Sequence, residues 1–281
     1  MKFHLGCQLN YTIPEPSTLV FNIQVLNNDF QKICRETLLI DPKLDTDEFG
    51  SPYGEGRYFR VNAPAGKLQV SYEATVDIEH FYANPEDIQE VPTADLPLEI
   101  IPLLYPSRYC ESDKLLQLAQ SEFGFLNSGY SRVTAICNWI YAKIIYLFGN
   151  TDSQTSACEM AIKRAGVCRD FAHLGIALCR ALNIPARFFS GYAWGLNPPD
   201  FHACFEAYLG NRWYLFDPTR LVPQTGIIRI ATGRDAADVS FATIFGTAQL
   251  EEMQLFVEPV WETGTAKQEN PCYTTAAISI D

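Results

Sequence analysis

Apolar residues alternate strictly with polar ones through the first part of this chain, and the period then lengthens to that of a helix. FHLGCQLNYTI puts Phe3, Leu5, Cys7, Leu9, Tyr11 and Ile13 on one face, and LVFNIQV does the same with Leu19, Phe21, Ile23 and Val25. After a Gly-Lys turn, Leu68, Val70, Tyr72, Ala74, Val76 and Ile78 repeat the alternation. Period two means strands with one buried face, and several in succession predict an antiparallel β-sandwich-like domain of about 90 residues. Prolines at 92, 97, 102 and 106 then fix φ and remove backbone donors, which predicts an extended connector at the lobe boundary. The division expected is 1–105 for the β-rich lobe and 106–281 for a second lobe with a C-terminal β extension, giving an α+β chain overall.

Beyond the connector, Val133, Ile136, Ile140 and Ile144 form one helical stripe. Ser156 and Glu159 are spaced as a capping box opening a short helix that Gly166 is placed to close. A further helix begins at Cys168, with Phe171, Leu174, Leu178 and Leu182 as its core stripe and Pro185 beyond its end.

Composition narrows the function. Acidic residues outnumber basic ones 33 to 21, for a net charge of −12, which argues against a phosphate-binding surface and hence against nucleic acid. No stretch of 18 apolar residues predicts a membrane span, and MKFHLGCQLNYTIPEP has no apolar core of a secretory signal. Nine cysteines without an export signal fit a reducing compartment, so a cytoplasmic protein with free thiols is expected, most of them small buried hydrophobes. His202 and Cys204 are only a fragment of a metal-ligand set, so neither metal nor cofactor is expected. Nothing in the pattern fixes an oligomeric state.

One cysteine stands apart. In AGVCRDFAHL the predicted helix start puts the Cys168 sulfur in the first turn, beside unpaired backbone N–H groups that point at any oxyanion formed when sulfur attacks a carbonyl. Such a nucleophile needs a base, and FHACFEAYLGNRWYLFDPT supplies one. Two alternating runs flank Gly210-Asn211, a glycine-first pair suited to a type II′ hairpin turn. That turn sets Cys204 opposite Asp217, with His202 on the same face one diagonal step away, so an imidazole and a carboxylate are presented together.

The segments GVCRDFAHLGIALCRALNIPAR, SGY, FHACFEAYL and WYLFDPT, in this order, resemble the transglutaminase-like superfamily, in particular its bacterial branch of cysteine proteases. The similarity runs from about residue 110 to 245, and the preceding β lobe is similar to the N-terminal domain that accompanies this core. The resemblance implies a papain-like/transglutaminase-like α+β core, Cys168 as nucleophile, His202 as base and Asp217 as orienting acid, with steps of 34 and 15 residues between them. It implies thiol-dependent acyl transfer on an amide, as hydrolysis of a peptide or isopeptide in a protein substrate or, as the second choice, transfer to an amine. A non-catalytic binding module on the same fold is the third. Arylamine N-acetyltransferases use the same residue order, but their nucleophile lies in the first third of the chain.

The oxyanion site should include the Cys168 N–H, and Tyr146 is either its second donor or a core aromatic. Arg169 is either a clamp for a substrate carboxylate or a solvated side chain, with Arg180, Arg187 and Arg220 as further cations near the core. Glu206 shares a hairpin face with His202 and is placed to reach the cleft. His173 turns away from the sulfur toward a surface or structural role, and Asp170 suits the helix dipole. Asp235 and Asp238 are placed to cap a turn, pair with Arg234 or bind a cation, capping being the commoner use.

Overall fold

The computed structural model describes residues 1–51, 53–261 and 270–281. The alternating N-terminal segment forms β1 (Lys2–Ile13), β2 (Ser17–Phe21), β3 (Gln31–Asp41), β4 (Thr46–Gly50), β5 (Arg57–Ala63), β6 (Gly66–Ile78) and β7 (Phe81–Ala83). All of the apolar residues named for this lobe are buried, as period two requires. Strands β1, β6 and β3 build one sheet, and β2, β5 and β4 the other. The sheets face each other, with Tyr11 of β1 edge-on to Phe21 of β2.

The connector is not simply extended. It contains short 3-10 turns at Thr93–Asp95 and Ile101–Leu104, where the prolines lie in or beside the first turn. Leu96 and Ile100 close a small apolar cluster with Tyr208 and Trp213.

The second lobe comprises α1 (Leu116–Phe123), α2 (Tyr130–Lys143), β8 (Ile145–Tyr146), α3 (Ala157–Lys163), β9 (Ala165–Gly166), α4 (Cys168–Ala181), β10 (Ala186–Ala193), β11 (His202–Leu209), β12 (Arg212–Phe216), β13 (Ile227–Gly233), α5 (Ala236–Val239), β14 (Ala242–Phe245), β15 (Gln249–Pro259) and β16 (Ala277–Ser279). Its sheet runs β12-β11-β10-β13 and is packed against α4. The predicted stripes of α2 and α4 are buried, although α2 ends before Ile144. Arg164, left-handed at φ 54°, ends α3, so Gly166 is not its stop.

The C-terminal β extension belongs to the first lobe. Strand β15 pairs with β1 as the edge of one sandwich sheet, and β14 pairs with β2 as the edge of the other. The lobes are further bonded through Tyr192, whose hydroxyl donates to the Ile23 carbonyl at 2.8 Å. Gln31 adds a second tie, exchanging hydrogen bonds with both backbone groups of Arg229. Among the described residues, no helix is long and apolar enough to cross a membrane.

Candidate active site

Cys168 is the first residue of α4, and the turn that presents it is assembled from both sides. Val167 is extended at φ −113°, and its N–H donates to the Asp170 carboxylate at 3.0 Å. Thr151 donates to the same oxygen at 2.6 Å. Asp170 is buried, so a carboxylate that satisfies orphan donors at the helix start has a structural role there. Gly166 is needed at this point, because a Cβ would lie 2.7 Å from Asp170 Oδ2 and 2.9 Å from Met160 Sδ. The approach to the helix is held by β9, which pairs in parallel with β8 through Ile145 N–H to Arg164 O and Leu147 N–H to Gly166 O, both 2.9 Å.

The hairpin register follows the sequence: Phe205 pairs with Phe216 and Leu209 with Arg212. Gly210 and Asn211 both have positive φ, 54° and 63°, so the turn is type I′ rather than the expected II′. Both turns close a two-residue loop, and the pairing is unchanged. Asp217 therefore follows directly on β12, and His202 opens β11.

His202 Nε2 lies 2.8 Å from Asp217 Oδ2. The other carboxylate oxygen accepts from Thr219 N–H at 2.9 Å and Thr219 Oγ1 at 2.7 Å. A carboxylate so engaged only accepts, so Nε2 donates to it in either charge state, and in the neutral ring it is Nδ1 that carries the lone pair. Nδ1 is buried and has no hydrogen-bond partner. Burial pushes the His202 pKa down, but the Asp217 carboxylate and the Cys168 thiol together raise it from 6.5 to about 10. The sulfur thus lies close to the ring, short of an ordinary hydrogen bond to Nδ1.

Helix and hairpin approach closely because of Gly175. A Cβ there would sit 2.5 Å from the Phe205 ring on β11, and Phe205 is stacked against Phe216. The glycine lets α4 lie on the strand that begins with His202, which brings Cys168 to the imidazole.

Tyr146, from β8, is half-buried and packs on Phe171 of α4 at 5.7 Å. Burial pushes its hydroxyl pKa up, as does the neighbouring Cys168 sulfur, while the Cys168 N–H opposes this by bonding the phenol oxygen. Tyr146 packs against the core and is also a neighbour of the Cys168 thiol, so the two readings of it are not exclusive. Asp200, two residues before His202, was not singled out from sequence. It is half-buried, its charge is felt by Tyr146, and burial raises its pKa while the neighbouring His202 opposes this. A lone acid after two prolines gave no pattern to find it by.

Other expectations are corrected. Glu206 does not reach the cleft: it is fully buried and bonded to Arg187 at 2.7 Å and to Arg229. The Arg169 guanidinium binds Asp170 and the Asp152 carbonyl, locking the helix start, so it is neither a free clamp nor a solvated side chain. Arg180 and Arg187 are likewise buried. His173 is stacked on Tyr109, and its Nε2 accepts from Ala236 N–H at 3.1 Å, a structural role. Asp235 caps α5 and Asp238 pairs with Arg234. Cys34 and Cys272 are exposed rather than buried. Asp217 also walls a cavity of about 500 Å³ lined by Tyr130, Cys137, Asn138 and Arg220; neither Cys168 nor His202 lines it, so it opens behind the carboxylate.

A sheet-rich first lobe and an α+β core, with a helix-terminal thiol facing an imidazole and a carboxylate, define a class of thiol-bearing papain-like domains. Residues 117–218 match the family described as the transglutaminase-like superfamily, and residues 1–99 match the bacterial transglutaminase N-terminal domain. A crystal structure from Cytophaga hutchinsonii, described as a "Putative Cysteine Protease", is 46% identical, with a TM-score of 0.95 over 100% of this chain and 98% of that one. The "Uncharacterized protein ML0607" of Mycobacterium leprae is 27% identical over 199 residues, 65% of this chain and 69% of that protein. The "Uncharacterized protein Rv2569c" of Mycobacterium tuberculosis is 28% identical over 238 residues, 74% of this chain and 75% of that protein. The chain belongs to the transglutaminase-like superfamily.

Proposed function

We propose that this protein is a thiol hydrolase acting on a peptide or isopeptide amide, with Cys168 as nucleophile, His202 as base and Asp217 as its orienter. The observation that carries the reading is the unpartnered Nδ1 of a buried imidazole whose Nε2 is fixed by Asp217 and whose near neighbour is the Cys168 thiol. In the first step the thiol proton passes to His202 Nδ1, and sulfur forms a bond to the amide carbon. The carbon–nitrogen bond breaks as Nδ1 returns that proton to the leaving nitrogen. In the second step water gives a proton to Nδ1 and its oxygen bonds the thioester carbon. The carbon–sulfur bond then breaks, releasing a carboxylic acid and restoring the thiol. On attack the Cys168 N–H leaves the Tyr146 phenol oxygen, and it and the Tyr146 hydroxyl donate to the developing oxyanion.

Hydrolysis is preferred to amine transfer because water needs no dedicated acceptor site. The reading is tested by incubating the protein with a peptide mixture in oxygen-18 water, with methylamine present, and quenching in acid. The expected result is a thioester adduct on Cys168 and oxygen-18 in the carboxyl product. Methylamine incorporation in place of oxygen-18 would transfer the assignment to amine acyl transfer, and no adduct on Cys168 would end it.

A further inference from the structure

The cavity of about 500 Å³ beside α2 takes no part in this chemistry. Tyr130 and Thr134 of α2, Phe216 at the end of β12 and Tyr273 of the C-terminal segment line it. These walls are fixed. The Tyr130 and Phe216 rings pack with centroids 4.7 Å apart, and the Tyr273 hydroxyl donates to the Arg220 carbonyl at 3.3 Å. Cys272 anchors the same segment, its N–H donating to Thr225 Oγ1 at 2.8 Å. The exposed Arg220 side chain also lines the cavity. Its guanidinium lies over the Tyr141 ring, 4.4 Å from the centroid, and donates to the Asn138 carboxamide oxygen. Those two contacts orient the guanidinium, and among the described residues its other nitrogens make no hydrogen bond and no acid pairs with it. Arg169, Arg187 and Arg229, by contrast, each meet a carboxylate. Asp217 is the one acid among the described lining residues, and its oxygens are engaged: Oδ2 by His202 and Oδ1 by Thr219.

A volume of this size accommodates an organic molecule, and aromatic walls with a few placed polar groups are the usual make-up of a small-molecule site. The charge left unanswered in it is positive, on a planar fork that matches a carboxylate. The net charge of −12 works against an anion at long range, so recognition falls to contact with the guanidinium. We infer that this cavity binds a small organic carboxylate, its apolar body against Tyr130, Phe216 and Tyr273 and its charge on Arg220. The site is separate from the thiol, since neither Cys168 nor His202 lines it.

The inference is tested by calorimetric titration of the intact chain at neutral pH with three probes of one aromatic body: phenylacetate, its neutral amide phenylacetamide, and the cation phenethylamine. Phenylacetate should bind saturably and about tenfold more tightly than the amide, and the amine should bind more weakly than either. Arg220→Gln should lower phenylacetate affinity about tenfold, to that of the amide, and Arg220→Lys should keep part of the difference. Thr134→Phe, which fills the cavity, should remove binding of acid and amide alike. Cys168→Ala should leave both unchanged. Equal affinity of the wild type for acid and amide overturns the inference, as does phenylacetate binding untouched by Arg220→Gln. Binding that survives Thr134→Phe, or is lost in Cys168→Ala, puts the acid at another site and overturns it as well. If Arg220→Gln loses its native near-ultraviolet circular dichroism, the acid-to-amide ratio in wild type and Arg220→Lys decides alone. A ratio the same in both overturns the role of Arg220. None of these outcomes bears on the nucleophile, whose test is the adduct on Cys168.

Discussion

Asp217 holds His202 by Nε2 at 2.8 Å, and the opposite ring nitrogen is buried without a hydrogen-bond partner, with Cys168 a neighbour of the ring. The arrangement orients a base: one nitrogen is committed, and only the other can accept a proton from sulfur. Burial alone would keep this imidazole neutral, so its charge is a contest that Asp217 and Cys168 win, raising the pKa to about 10. A group whose folded pKa lies above the unfolded 6.5 adds stability that is fully present below 6.5 and is lost as pH rises through about 10. The His202 ring resonances, followed by NMR, should therefore titrate well above pH 8 in wild type and shift toward the ordinary histidine range in Asp217→Asn. A wild-type midpoint near 6.5 would contradict this account.

His173 should show the opposite sign. Burial depresses its pKa from 6.5 to about 3, and its Nε2 is needed as an acceptor. It is neutral when folded and charges when unfolded, so its contribution is present above 6.5 and is lost as pH falls toward 3. Between pH 7 and pH 5 the wild type should lose about 2 kcal/mol more stability than His173→Gln, read from urea midpoints. Parallel losses in the two proteins would remove His173 as the cause.

Glu206 should be a stability residue. It answers two buried arginines, and Glu206→Ala leaves Arg187 and Arg229 with only Glu55 and Asp281 as acidic partners among the described residues. Uncovering a buried cation costs about 3 kcal/mol, so the variant should unfold at markedly lower urea concentration. If it keeps full stability but alters substrate preference, the residue lies in the cleft after all.

Gly175 should couple packing to reactivity. In Gly175→Ala the added methyl meets the Phe205 ring at 2.5 Å, and stacking on Phe216 leaves the ring nowhere to retreat. Overpacking costs about 2 kcal/mol here, and any relief that shifts α4 carries Cys168 away from His202. Slower alkylation of Cys168 together with lower stability is expected; unchanged behaviour in both would show that the contact is slack.

Much of this was legible because it is local. The alternation that buries Phe3 to Ile13 and the two-residue turn at Gly210-Asn211 fix faces and register without reference to the rest of the chain. The turn type differs from the expectation because Asn211 tolerates the left-handed region, which permits I′. Strand β15 could not be assigned to β1, because a pairing across some 250 residues leaves no periodic trace of its partner. Glu206 was misread for a related reason. Face alternation says which side a residue takes, and Arg229, which fills that side, comes from β13. The neighbourhood of Tyr146 and Cys168 depends on the two-residue pairing of β8 with β9, too short to signal itself.

The central claim is that Cys168 and His202 act as one unit, and iodoacetamide labelling at pH 6 with peptide mapping tests it most directly. Cys34 and Cys272 are the exposed competitors, and burial raises the thiol pKa of Cys110, Cys137, Cys179 and Cys204. The account predicts that Cys168 is modified first and that His202→Ala abolishes this preference. Labelling spread evenly over the exposed cysteines, or a Cys168 rate indifferent to His202→Ala, would contradict it.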